Sequence, residues 1–188
     1  SALKIKPDHV AALRNKGNAL QDKGDAGAAI ASYKSAIEIE PQNAATHYQM
    51  GVALRGLGDI KAAIESYKQA LKIKPDYAAA YNNMGKAQKD TGDTAAAIDS
   101  YKQAIKIKPD YVQAYNNMGN ALYEKGDTAA AIDSLKKALK INPNYAEIYS
   151  NMGHFLAEIG QPSAAIDSFK QALKIKPDYA EAYTNRAH

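Results

Sequence analysis

A carboxamide side chain recurs along this 188-residue chain at a constant step of 34 positions: Asn15, Gln49, Asn83, Asn117, Asn151 and Asn185. Each offers one acceptor and two donors on a single planar group. A peptide bond presents the matching donor and acceptor. A regular row of such groups can therefore hold an extended backbone without reading its sequence. Asn is a mediocre helix former, so propensity does not explain the repeated choice. The other use for the same atoms is hydrogen bonding to a neighbouring structural unit, and the sequence leaves both uses open. Residues close to the carboxamides could add specificity. In the N-terminal half these are Arg14, Asn18, Tyr48, Arg55, Asn82, Lys86 and Lys89. In the C-terminal half they are Asn116, Asn120, Tyr123, Glu147, Ser150 and His154. The first set is basic and the second neutral to acidic, so an acidic or carboxylate-bearing ligand is expected on the first half.

Catalysis finds little support. His9, His47, His154 and His188 are scattered and have no evident acid–base partner. No metal-ligand spacing, nucleophile elbow or phosphate loop appears. The chain has no cysteine, which removes disulfides, thiolate metal sites and a Cys nucleophile. A cysteine-free chain fits a reducing compartment, and a cytoplasmic location is expected. No enzyme activity, cofactor or metal is expected. No apolar run approaches the length of a membrane span. The net charge of +4 resides mainly on lysines that recur once per 34 residues, including Lys34, Lys68, Lys102, Lys136 and Lys170. Acidic residues dilute them, so they read as a solvated face rather than a nucleic-acid stripe.

The elements that position these residues follow from the same period. Pro7, Pro41, Pro75, Pro109, Pro143 and Pro177 are each 34 residues apart, as are Gly17, Gly51, Gly85, Gly119 and Gly153. The stretch GDTAAAIDS occurs unchanged at 92–100 and 126–134. Within a unit the apolar spacing is helical. Tyr81, Met84, Gly85 and Gln88 share one face of a first helix over about 78–91. Ala97, Ile98, Tyr101, Ala104 and Ile105 form the inner stripe of a second over about 94–107. Gly92 stops the first helix and Asp93 caps the second. Proline then ends the second by disfavouring helical geometry in the residue before it. The fifth unit differs, with Gly160-Gln161-Pro162 at its turn and Pro162 at the first helical position. A side chain at Gly85 would push the two helices apart near Ala97. Tyr101 and its equivalents Tyr33, Tyr67, Leu135 and Phe169 are expected to fill the space between successive hairpins. No such hairpin buries its apolar face alone.

These residues resemble the tetratricopeptide repeat (TPR) family over nearly the whole chain. The expected units are 10–43, 44–77, 78–111, 112–145 and 146–179, with 1–9 as the remnant of a preceding repeat and 180–188 as a partial one. The aromatic of the first helix appears as Tyr81, Tyr115 and Tyr149 but departs to Leu13 and His47, and Gln88 replaces an apolar residue. The resemblance implies an all-α fold, a right-handed α-solenoid of stacked antiparallel helix pairs with the first helices lining a concave groove. The implied function is a protein-interaction scaffold that binds a protein or peptide in extended conformation, with a structural or self-assembling solenoid as the alternative. The carboxamide row is similar to the asparagine ladder in the groove of O-linked N-acetylglucosamine transferases. The carboxylate clamp of some members needs a Lys/Asn/Asn/Lys/Arg pattern. Arg14 and Asn18 match its start, but Gln49, Ala79 and Asn83 do not complete it. Neither end carries a polar cap, so the sequence reads as part of a longer array with a tendency to associate end to end. Nucleic-acid and membrane partners are not expected.

Overall fold

The computed structural model describes residues 2–177, with side chains from Asp8 onward. Ten helices are present among the described residues: α1 (Ala2–Asp22), α2 (Ala26–Ile39), α3 (Ala44–Gly56), α4 (Ile60–Ile73), α5 (Ala78–Asp90), α6 (Thr94–Ile107), α7 (Val112–Glu124), α8 (Thr128–Ile141), α9 (Ala146–Glu158) and α10 (Pro162–Ile175). They form five antiparallel hairpins, α1–α2 to α9–α10. The chain divides into two compact units, Ser1–Ile107 with α1 to α6 and Lys108–His188 with α7 to α10. The helix α1 passes through Pro7 and so begins ahead of residue 10, the expected start of the first unit. Pro lacks an N–H and removes one backbone bond from that first stretch. The expected partial repeat at 180–188 lies outside the described residues.

Four of the five hairpin turns are built the same way. Gly92 has φ +82°, a left-handed conformation in which a Cβ would be strained. The Asp93 N–H then reaches back to the Gln88 carbonyl at 3.0 Å, closing the end of α5. The Asp93 carboxylate accepts from the Ala96 N–H at 3.0 Å and caps α6. The bonds from Ala28 to Asp25, Ala62 to Asp59 and Ala130 to Asp127 repeat the cap at 3.0, 3.2 and 3.1 Å. The fifth turn lacks a side-chain cap at Gln161, and Pro162 takes the first helical position instead.

The core clusters join successive hairpins, as expected: Tyr33 packs with Leu54 and Leu135 with Phe155. Tyr101 also has a contact within its own hairpin. Its ring lies over Gly85 of its own hairpin, and a Cβ on Gly85 would stand 2.6 Å from the ring. The glycine makes room for the ring, and at Gly119 the Ala131 backbone carbonyl also comes within 3.3 Å of the position a Cβ would take. Tyr33 over Gly17, Tyr67 over Gly51, Leu135 over Gly119 and Phe169 over Gly153 repeat the arrangement. An aromatic side chain buries more area than a small-residue seam could, which favours this solution. Gln88 is also accounted for: Ser100 Oγ donates to its Oε1 at 2.6 Å across the hairpin.

Helix propensity alone would make Gly85→Ala stabilising by about 1 kcal/mol. The buried ring reverses the sign. Urea unfolding of Gly85→Ala is expected to show a net loss of about 1–3 kcal/mol, and an unchanged or raised midpoint would contradict this packing.

Candidate functional site

Within each unit the odd-numbered helices touch one another: α1 with α3 and α3 with α5 in the first, α7 with α9 in the second. The even-numbered helices touch only odd ones. Each unit therefore curves with its odd helices on the inside. Residues of those helices that face away from their hairpin partners line this inner face.

The carboxamides lie on it unequally. Asn15 is exposed, Gln49, Asn83, Asn117 and Asn151 are half-buried, and Asn185 lies outside the described residues. Asn83 Nδ2 donates to the Tyr48 hydroxyl at 2.8 Å, and Asn151 Nδ2 donates to Asn116 Oδ1 at 3.2 Å. Both bonds span 35 residues, one repeat plus one position. Asn116 Nδ2 in turn donates to Glu147 Oε1 at 3.1 Å. The expectation that Asn82 and Asn116 present their side chains to a ligand is corrected here. They are only 5% and 6% exposed, packed under the inner face. The reason is geometric. A residue one position earlier on the helix turns by about 100°, enough to move a side chain from the open face to the contact with the next hairpin. Ser150, at the same slot, is likewise buried.

A second row of contacts uses the same offset of 35. Arg55 Nε donates to Asp90 Oδ2 at 2.7 Å, and the Tyr123 hydroxyl donates to Glu158 Oε1. The bond to Glu158 holds the Tyr123 phenol above its ordinary pKa, with burial adding to the rise. Tyr123 also stacks on Phe155, with ring centroids 4.0 Å apart. Tyr48 packs against Tyr77 and Tyr67 at 4.9 and 6.0 Å. Burial pushes the Tyr77 phenol up, and the Arg14 guanidinium partly offsets the rise. Asn18 Oδ1 accepts from the Tyr33 hydroxyl at 2.8 Å. Lys86 and Lys89 are half-buried on the inner face of the first unit, and Asn120 is half-buried on that of the second. His154 is exposed and meets Phe169 edge-on at 5.3 Å. Asp90 and Glu158 were not singled out from the sequence. Their signal was there, but only at a spacing of 35 rather than 34.

No cluster among the described residues could hold a metal ion, and no described helix is long and apolar enough to cross a membrane. The arrangement offers hydrogen-bonding amides, phenols and a few charges on an open curved face. It presents nothing organised as a nucleophile with its base.

Asn116 bridges Glu147 and Asn151 with both ends of its amide. Asn116→Ala is expected to cost about 1–3 kcal/mol in urea unfolding, because it empties a buried site and leaves the half-buried Asn151 amide unmatched. Asn15→Ala, on an exposed side chain, is expected to change stability by less than about 0.5 kcal/mol. Equal effects would contradict the assigned bridge.

Comparison with known proteins agrees with this architecture. The TPR repeat model matches residues 17–58, 53–92, 89–126, 119–160 and 153–188. A crystal structure of MamA is similar at 29% identity, with 88% of this chain and 96% of that chain covered and a TM-score of 0.80. The pilF protein of Pseudomonas aeruginosa is similar at 21% identity, with 97% and 87% covered and a TM-score of 0.80. YrrB, described as a TPR protein with an unusual peptide-binding site, is similar at 19% identity, with 100% and 96% covered and a TM-score of 0.76. A search of curated proteins gives no match. With five consecutive matches over most of its length, the chain belongs to the tetratricopeptide repeat family.

Proposed function

We propose that this chain is a non-catalytic interaction scaffold whose inner faces bind a protein or peptide segment in extended conformation. Tetratricopeptide proteins in general mediate protein–protein interaction. The observation that carries the finer reading is the state of Asn83 and Asn151. Each has one N–H fixed by the preceding repeat. In each, the side-chain carbonyl oxygen has no hydrogen-bond partner among the described residues, and the group stays half-open to solvent. The fixed bond orients the amide before any ligand arrives, which lowers the ordering cost of binding. The free oxygen and second N–H match the donor and acceptor of a peptide bond. Packed helices stand about 8–10 Å apart, and an extended chain advances about 3.3 Å per residue. One carboxamide therefore meets the ligand about every third residue. Gln49 would extend the row of the first unit, with Arg14, Lys86 and Lys89 around it, and Asn117 that of the second, with Asn120, Tyr123 and His154. At about 0.5–1.5 kcal/mol per bond, micromolar affinity is the expected ceiling.

The alternative of end-to-end self-association has one observation in its favour. On α10, Ile166 is 53% exposed, whereas its repeat equivalent Ile132 is 6% exposed.

The test is selection from a displayed library of unstructured 12-residue peptides, followed by titration of the best binder. The double variant Asn83→Ala, Asn151→Ala should weaken that binder roughly fivefold to hundredfold, equivalent to about 1–3 kcal/mol over two amides. Retention of full affinity would sink the reading.

A further inference from the structure

The inner face of the first unit holds a polar cavity of about 260 Å³ lined by Asn18, Gln21, Asp22 and Gln49. Its origin can be read from the row of contacts at offset 35. In that row Arg55 meets Asp90 and Tyr123 meets Glu158. The same offset sets Gln21 against position 56, which is Gly56 and has no side chain to fill the space. The cavity stands where the other rungs place a carboxylate and its partner.

Its lining has a surplus of acceptors. The Tyr33 hydroxyl lies 2.8 Å from Asn18 Oδ1 and 3.2 Å from Gln21 Oε1. One hydroxyl hydrogen cannot serve both oxygens, and the shorter bond holds it. Rotating the Gln21 amide so that its Nε2 donates to the hydroxyl oxygen instead turns Oε1 toward the cavity. One hydroxyl hydrogen thus leaves a carbonyl oxygen of the Asn18 and Gln21 pair for a ligand, and the longer bond makes it that of Gln21. Neither the Gln49 amide nor the Asp22 carboxylate has a hydrogen-bond or ion-pair partner among the described residues. Asp22 is the one charged residue lining the cavity, and it is negative.

We infer that this cavity is a side-chain subsite for a guanidinium, filled by an arginine of the bound segment. Asp22 supplies the counter-charge, and the Gln21 and Gln49 oxygens accept the remaining N–H groups. A guanidinium carries five donors and no acceptor, which matches a carboxylate flanked by carbonyl oxygens. The Arg55–Asp90 pair on the same face is the protein's own instance of this chemistry. The assignment rests on the extended-segment reading above for how the arginine arrives, but the cavity can be tested without it.

The probes are three capped tripeptides, acetyl-Gly-X-Gly-amide, with X as arginine, citrulline or glutamate. Citrulline keeps the shape of arginine and removes its charge. Binding is read from the side-chain amide NMR signals of Asn18, Gln21 and Gln49 during titration. The arginine peptide should shift these signals and bind about tenfold tighter than the citrulline peptide, as expected for charge-assisted bonds. Asp22→Asn should abolish that preference, and Gly56→Gln should block all three peptides by filling the cavity. Equal shifts from arginine and citrulline, or a preference for glutamate, overturn the assignment. So does an arginine preference that survives Asp22→Asn. The double variant at Asn83 and Asn151 leaves the arginine shifts unchanged, so loss of the subsite and loss of the carboxamide row are separately visible.

Discussion

A large side chain laid over a glycine fixes the separation of the two helices in every hairpin, and the inner face depends on that separation. Tyr33, Tyr67, Tyr101, Leu135 and Phe169 each occupy the space that a glycine of their own hairpin leaves open. The large residue contributes the buried area, and the missing Cβ provides the room for it. A wider gap would separate each even helix from the next odd one and loosen the stack. The contacts between odd helices, and the curvature that makes one face inner, follow from the hairpin below them. Neighbour-to-neighbour dependence of this kind is general in repeat arrays, where each unit buries its apolar face on the next.

The inner face then divides its polar groups between two tasks. Contacts at an offset of 35 residues tie α3 to α5 and α7 to α9: Tyr48 with Asn83, Arg55 with Asp90, Asn116 with Asn151 and Tyr123 with Glu158. The offset exceeds the repeat length by one because successive hairpins are rotated as well as translated. A carboxamide has more hydrogen-bonding capacity than one such contact consumes. The same Asn83 can therefore hold the stack with one N–H and keep a carbonyl oxygen available. Structural and recognition roles are compatible on a single side chain, and the first orients the group for the second. A carboxylate such as Asp90, already matched to Arg55 across a row, has a narrower remaining use.

The helices and turns were legible in the sequence because they depend on local rules. The step of 34, the Gly92-Asp93 turn and the proline exits are all visible in a one-dimensional pattern. Even the odd turn at Gln161-Pro162 was readable from proline's own geometry. What escaped depended on rotation between hairpins. Asn82 and Asn83 are neighbours in sequence, yet one is buried and the other half-open, and no helical period decides which. The seating of Tyr101 over Gly85 was not legible, because the spacing pairs Gly85 with the small residue Ala97 just as well. Gln88 looked like a packing fault until Ser100 stood opposite it. The acidic residues Asp90 and Glu158 were overlooked because a search at the repeat length passes by a contact one residue longer.

The account stands most directly on hydrogen exchange at the side-chain amides of Asn83 and Asn151. In the free protein, one proton of each NH2 group should exchange slowly, held by Tyr48 or Asn116, and the other at the rate of an exposed amide. On adding an extended peptide partner, the second proton should slow as well. Two equally protected protons in the free protein, or no change on binding, would show that these groups serve the stack alone.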